Sequence, residues 1–584
     1  MFRRLVHCLI FAALVTPTVT SAQDDADQPN VVIILVDDSA LMDFGVYGGE
    51  AQTPHIDALA ERGAMFTQYR TSPLCSPTRA MLLTGLDNHL TGVATIPEVL
   101  PEEQKGAPGY SMALEPGVLT IADRLREAGY RTLMSGKWHM GESAHEMPQA
   151  HGFDRSFALA ASGADNWEDK SYIPYYVDAP WFEDGEEASL PEDFYSSEFI
   201  VDTMIRYLDE TDRDRPFLAY LPFQAIHIPV QAPPEFTALY DGRFDEGWDV
   251  LQAARHERAQ ALGLISQGAP LASMPDDARP WQSLDAEARE TYAARMAVNA
   301  GMLTAMDHHI GRFIDRLKAE GLYDNTVFIV TSDNGPEPSY HNDDPRFARW
   351  LQVNGYHTDL EGLGEIGSWN YIGMEWALAA SSPGTLYKFY ATEGGVRAPL
   401  IMAGPGIAPQ RVDSPAMVTD VTPTLLEMIN VPPADEASRT MTGRSLLPVL
   451  RGEVESAYAP GGIRAIEVSG NSALYRDGYK IVRSVAPVGD GQWRLYDLST
   501  DPGEVIDLSE AQPARLESML EDYADYAARV GVQPMPEGYS STAQIQRNTL
   551  KRLRSRNMPR ILAVLFLLLF GVAALARVPR KGQA

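Results

Sequence analysis

With 584 residues, only two cysteines, and 79 acidic against 48 basic side chains for a formal charge of −31, the chain is neither a disulfide-stapled scaffold nor a basic nucleic-acid binder, and no nucleic-acid partner is expected. A hydrophobic content of 45% with an ordinary 22% of charged residues excludes disorder over the bulk and leaves room for a large core with a smaller companion domain.

Residues 1–22 read as a secretory signal peptide. Arg3 and Arg4 precede an apolar stretch from Leu5 to Val15, and Thr20-Ser21-Ala22 offers small residues at a cleavage site. The stretch is shorter than the ~18 residues of a spanning helix. Its removal takes Cys8 with it, leaving one cysteine in a body expected to be exported to the periplasm or another extracytoplasmic space.

The body, residues 23–454, opens with Asn30–Val36, a continuous β-branched run suited to a strand buried on both faces. Similar runs recur at Phe217–Phe223, Thr326–Thr331 and Pro399–Ala403. Helical stretches fall between them: Pro54–Arg62 before Gly63, Thr120–Ala128 before Gly129, Ser197–Asp209, and Ala286–Glu320 before Gly321. Such alternation predicts an α/β fold, a large mostly parallel sheet flanked by helices, with its site beyond the carboxyl ends of the strands. Residues 455–534 change to short alternating segments with turn residues, which predict a small C-terminal antiparallel sheet. Residues 535–560 read as a polar, then basic, linker. The 16 apolar residues of 561–576 read as a C-terminal membrane anchor, with a cleaved sorting signal as the alternative, and 577–584 as a basic tail. From position 547 onward there are nine basic residues and no acid, so the preceding body is more acidic than the whole. An anion site in such a body must be locally basic or metal-loaded.

Two buried strands end in oxygen ligands: Asp37-Asp38 follows Val36, and Asp333-Asn334-Gly335 follows Ser332. Paired on parallel strands they can converge on one hard cation, Ca²⁺ or Mg²⁺, and the chain has no thiolate or multi-histidine set to suit zinc. The third element is Cys75-Ser76-Pro77-Thr78-Arg79 followed by Leu83-Thr84-Gly85, which puts the remaining cysteine at a helix start with Pro77 in the first turn.

Together with Gly136-Lys137-Trp138-His139, His151 to Asp154, Tyr220 to His227, Tyr387-Lys388, Glu393 to Pro399, and Leu495 to Glu504, this pattern resembles the sulfatase family of the alkaline-phosphatase-like superfamily, bacterial arylsulfatases above all. The resemblance runs from about Asn30 to Leu508. It implies hydrolysis of sulfate esters. Cys75 would be converted during export to formylglycine (3-oxoalanine) by a formylglycine-generating enzyme that reads C-x-P-x-R, and the hydrated aldehyde would attack sulfur. By the same resemblance Asp37, Asp38, Asp333, Asn334 and residue 75 hold the metal, expected as Ca²⁺ with Mg²⁺ the alternative. Arg79 fixes the nucleophile, Lys137 and Lys388 clamp sulfate oxygens, His227, helped by Lys388, is the general acid for the leaving oxygen, and His139 assists collapse of the covalent sulfo-intermediate. Thr78 stands where serine is common, and Pro336 follows Gly335 in place of a small polar residue; neither removes a reacting group. Aryl substrates are expected from the match at Trp376 to Pro383, with Trp167, Tyr175, Tyr176 and Trp181 available for an aromatic rim. Two alternatives remain open: a phosphodiester or phosphonate monoester hydrolase with the same site, and an unmodified, inactive binder of sulfated polymers.

Overall fold

In the strand Asn30–Val36 successive side chains point to opposite faces, and the two faces fill two different cores: Val32, Ile34 and Val36 enter one, Val31, Ile33 and Leu35 the other. A strand of this kind must be central. The computed structural model, which describes residues 28–339, 344–432, 440–556 and 558, places it in the middle of a ten-stranded sheet. Its neighbours are Thr326–Ser332 on one side and Phe217–Pro222 on the other, both parallel, followed outward by Arg131–Lys137 and Arg155–Leu159, also parallel. Leu400–Ala403 runs antiparallel to both of its neighbours, and Trp181–Glu183 with Glu186–Glu187 closes the opposite edge as an antiparallel hairpin. The sheet is therefore mixed, with a parallel centre.

The expected helices lie close to their expected limits, at Pro54–Glu61, Ile121–Glu127, Ser196–Glu210 and Ala286–Ala319. Local chemistry sets their starts. The Thr120 hydroxyl accepts from the Asp123 backbone N–H while the Asp123 carboxylate accepts from that of Thr120, and Asp285 caps the long helix through Ala288 N–H.

Four antiparallel strands, Arg464–Val468, Asn471–Arg476, Tyr479–Arg483 and Trp493–Asp497, form the C-terminal sheet, covered by the helix Pro513–Val530. Buried ions join it to the main body. Glu393 receives Arg70 at 2.8 Å, Lys480 at 3.0 Å and the Tyr475 hydroxyl at 3.0 Å, and Lys480 also reaches Glu504 at 2.7 Å. A second tie is His89, whose ring nitrogens lie 3.1 Å from Asp87 and 2.7 Å from Glu467 of the small sheet. Burial opposes its charge, but the two carboxylates outweigh burial and hold its pKa up, at about 9. Because the folded value exceeds the ordinary 6.5, this contribution is complete below pH 6.5 and is lost as pH rises through about 9. The melting temperature of wild type is expected to fall over that window more than that of His89→Gln, as read by thermal unfolding at pH 6, 7.5 and 9.

Within the stretch expected to link the body to the apolar run, residues 541–556 form a helix that packs on the body. Among the described residues no helix is long and apolar enough to cross a membrane. The signal peptide expected at 1–22, the apolar run 561–576 and the basic tail lie outside the described residues.

Candidate active site

Register brings the first two ligand pairs together. Val36 lies opposite Ser332 in the parallel ladder, so the residues that follow, Asp37-Asp38 and Asp333-Asn334, leave the sheet at the same edge. The helix Cys75–Thr84 starts against them, buried along its whole length and closed by Gly85 at φ 69°. The Cys75 thiol lies 3.4 Å from Asp37 Oδ1 and 3.8 Å from Asp38 Oδ1. One ligand atom from each of Asp37, Asp38, Cys75 and Asp333 falls within 4.8 Å of all the others, and all four residues are buried.

Arg79, one turn beyond Cys75, donates from Nη2 to Asp333 Oδ2 at 2.7 Å and from Nη1 to the Lys137 carbonyl at 2.8 Å. Lys137 ends the strand Arg131–Lys137 and pairs with Asp37. The preceding residue is glycine of necessity: at φ 137° a side-chain carbon on Gly136 would meet the Pro222 carbonyl oxygen at 2.0 Å. Lys388 reaches Asp38 and Glu337, each at 2.8 Å. Its loop is held by Lys388 N–H to the Pro336 carbonyl and Phe389 N–H to the Pro73 carbonyl, which tie it to the loops of Asn334 and Cys75. Hydrogen bonds from Asp37 N–H to the Ala225 carbonyl and from Ile226 N–H to the Asp37 carbonyl bring in His227. The His227 Nδ1 proton is directed to the Ile228 carbonyl at 2.6 Å, leaving Nε2 toward Asp38 Oδ2 at 3.8 Å. These contacts join Asp37, Asp38, Cys75, Arg79, Lys137, His227, Asp333 and Lys388; Asn334 Nδ2 reaches Asp38 at 2.6 Å, and the His139 carbonyl accepts from Ser76 Oγ at 2.5 Å.

Asp38 and His139 hold left-handed backbone, at φ 62° and 56°, a conformation costly for side-chain-bearing residues and maintained only where the surroundings dictate it. For Asp38 they do so through its N–H, which donates to Asp333 Oδ1 at 3.2 Å.

The charges are strongly coupled. Burial and the Asp333 charge push Asp37 up, and burial pushes Asp38 up to about 8. Asp333 goes the other way: burial opposes its charge, but Arg79, Lys137 and Lys388 hold it below the usual carboxylate value. Burial and Asp333 push the Cys75 thiol well up, so this cysteine is no thiolate nucleophile. His139 and His227 are pushed well down by burial and by Lys137. Four carboxylates, those of Asp37, Asp38, Asp333 and Glu337, face three cations, Arg79, Lys137 and Lys388.

Two residues had no assigned role in the sequence. Glu337 is buried against Lys388 and, with Asp38 and His227, forms a second close group of potential ligands. Its sequence signal is an acid two residues after Gly335, in the loop of Asp333 and Asn334. Tyr172 presents its ring edge-on to His227, with centroids 5.1 Å apart, and stacks on Tyr176, whose hydroxyl donates to Glu98 at 2.6 Å. Of the aromatic rim expected from the sequence, Tyr175 and Tyr176 belong to this wall. Trp181 instead stacks in the core on Phe157, and Trp167 packs on Tyr195. Trp376 is a core residue as well, packed against Trp248 and Trp281.

Gly163 closes the back of the wall. A side-chain carbon there would lie 2.9 Å from His227 Nδ1 and 3.3 Å from a Tyr172 ring carbon. Gly163→Ala is expected to displace the imidazole and lower kcat about 10- to 100-fold, while the melting temperature stays within a few degrees of wild type. Steady-state kinetics with 4-nitrophenyl sulfate, paired with thermal unfolding, check this.

A family model described as Sulfatase matches residues 29–431. An uncharacterised sulfatase of Schizosaccharomyces pombe is 34% identical over 542 residues, covering 88% of this chain and 96% of the relative. An arylsulfatase of Klebsiella aerogenes is 34% identical over 452 residues, covering 75% and 94%. Among solved structures, that of Ps i-CgsB in complex with k-i-k-neocarrahexaose superposes with a TM-score of 0.61 at 20% identity, covering 90% of this chain and 98% of the other, a likeness of fold.

Proposed function

The chain belongs to the sulfatase family and is a sulfuric ester hydrolase, and on that premise we propose that it cleaves aryl sulfates with a formylglycine made from Cys75 as nucleophile and Ca²⁺ as the bound cation. The observation that carries the aryl reading is Tyr172, set edge-on to His227 and stacked on Tyr176. Beside the residue assigned as leaving-group acid, such a wall suits a flat, apolar leaving group. The arylsulfatase relative supports the same reading.

The family implies a divalent cation and formylglycine, and the residues present fit both. Asn334 Oδ1 is buried with no hydrogen-bond partner, although its Nδ2 donates to Asp38 at 2.6 Å. A carbonyl oxygen in that position, beside the oxygens of Asp37, Asp38 and Asp333, is a hard donor set of the kind calcium takes. Bound there, the cation would favour deprotonation of an adjacent hydroxyl and screen ester oxygens, while the hydrated aldehyde would supply one hydroxyl to attack sulfur and a second to release sulfate.

The chain's own side chains do the rest. Arg79 fixes Asp333 and the end of the Lys137 strand, so that nucleophile, ligand and clamp share one frame. Lys137 and Lys388 present ammonium groups to the sulfate oxygens, where charge grows in the transition state. Both nitrogens of His139 are buried and unpartnered, and Ser76 Oγ donates to its carbonyl at 2.5 Å, which ties its backbone to the residue after Cys75. The Ile228 carbonyl holds the Nδ1 proton of His227, which turns Nε2 toward the leaving oxygen as the nitrogen through which a proton is exchanged.

Measuring kcat/KM on 4-nitrophenyl sulfate, a hexose 6-sulfate and 4-nitrophenyl phosphate tests the substrate reading. The aryl sulfate is expected to be preferred by about 100-fold or more over each of the other two. A preference for the hexose sulfate would overturn the aryl assignment, and a preference for the phosphate would overturn sulfur as the electrophile.

A further inference from the structure

Helix 541–556 has two unlike faces. Its inner face touches the segments that carry the catalytic residues. Ile545 packs in a cluster with Leu74, the neighbour of Cys75, and Phe389, the neighbour of Lys388. Asn548 Nδ2 donates to the carbonyls of Glu98 and Leu100 at 2.9 and 3.0 Å. The Arg552 guanidinium lies 4.6 Å from the Tyr175 ring centroid and 5.5 Å from that of Tyr176, and 3.2 Å from Glu142, three residues beyond His139.

The outer face has a different character. Arg547, Leu550, Lys551 and Arg554 fall three and four residues apart on one exposed stripe, and Arg556 follows. Lys551 shares Glu102 at the rim, at 2.7 Å. Leu550 is 45% exposed and Met558 50% exposed, and no acid occurs between 541 and 558. On a chain of formal charge −31 this is a local concentration of cations around bare apolar side chains, and it leads within three residues of Met558 into the apolar run 561–576. Basic residues flanking exposed leucine on a helix are the composition of a surface that lies on anionic lipid headgroups.

We propose that the outer face of helix 541–556 is a docking surface for an anionic bilayer, so that the helix holds the Tyr175–Tyr176 side of the active site at the membrane surface. The occupant is argued from charge complementarity and from the apolar run that follows. The contact does not depend on the catalytic reading, and its test does not use turnover as its signal.

The full chain is placed in vesicles carrying headgroup spin-labelled lipid, with a fluorophore at Leu550→Cys in a Cys8→Ser background; Cys75 is buried and out of reach of the label. Quenching at position 550 is expected to be at least about twofold stronger in phosphatidylglycerol than in phosphatidylcholine vesicles, to lose that difference when Arg547, Arg554 and Arg556 are all replaced by glutamine, and to be absent from the same fluorophore at Leu271→Cys. Quenching at 550 that is absent, equal in the two lipids, or unchanged by removal of the three arginines overturns the proposal. Hydrolysis of 4-nitrophenyl sulfate in solution is expected to be the same with and without the three arginines. Its loss in wild type would count against the catalytic reading and leave the quenching result to stand by itself.

Discussion

Cys75→Ala is expected to lower kcat/KM for 4-nitrophenyl sulfate by a factor on the order of 10⁴ or more, because it removes the proposed nucleophile and leaves only positioning and charge stabilisation. The folded state should tolerate the change. The thiol is small and its pKa is pushed well up by burial and Asp333, so no buried ion is orphaned when it goes. Cys75→Ser is the more telling variant, since it restores a hydroxyl of nearly the same size. Serine offers an oxygen able to attack but no second hydroxyl on the same carbon to release sulfate, so at most one turnover per chain is expected. Rapid-quench measurement of phenol release against enzyme concentration distinguishes a stoichiometric burst from sustained turnover. Sustained turnover by Cys75→Ser would show that an ordinary hydroxyl suffices.

Lys388→Ala is expected to cost about 10²- to 10³-fold in kcat, the loss usual when one preorganised donor is removed from a transition-state oxygen. This variant also leaves Asp38 and Glu337 buried without their cation, and breaking a buried pair from one side destabilises strongly. The two effects separate in a double variant. Lys388→Ala with Glu337→Gln removes one of the stranded negative charges, so the melting temperature should recover toward wild type while kcat stays low. If kcat recovers along with stability, Lys388 acts by holding the fold and does not touch the ester. Glu337→Gln alone keeps the ammonium and should reduce kcat far less than Lys388→Ala does.

Much of this is legible in the sequence alone. The strand Asn30–Val36 announced a sheet buried on both faces, and its two side-chain sets do fill two cores. Asp37-Asp38 and Asp333-Asn334 were readable as one ligand set because each follows a buried strand, and the Val36 to Ser332 register explains why they meet. What remained hidden depends on three-dimensional partners with no sequence period. Leu400–Ala403 has the same apolar texture as the parallel strands of the sheet, and only the path of the chain makes it antiparallel. Glu337 has its cation, Lys388, 51 positions away in the chain, a partner that no local pattern marks. Tyr172 is one aromatic among many in its segment, and only its partner separates it from Trp181: His227 for Tyr172, Phe157 for Trp181. Residues 541–556 carry the polar, basic composition of a linker, yet they fold as a helix because Ile545 and Asn548 find an apolar cluster and bare carbonyls on the body.

The central claim, that residue 75 works as an aldehyde-derived nucleophile in sulfate ester hydrolysis, is tested most directly by the mass of the peptide containing residue 75, taken from protein made with a formylglycine-generating enzyme and assayed on 4-nitrophenyl sulfate in the same preparations. The account predicts a peptide lighter by the difference between cysteine and formylglycine, with specific activity rising in proportion to the converted fraction. Full activity in material whose residue 75 is unconverted cysteine would contradict it.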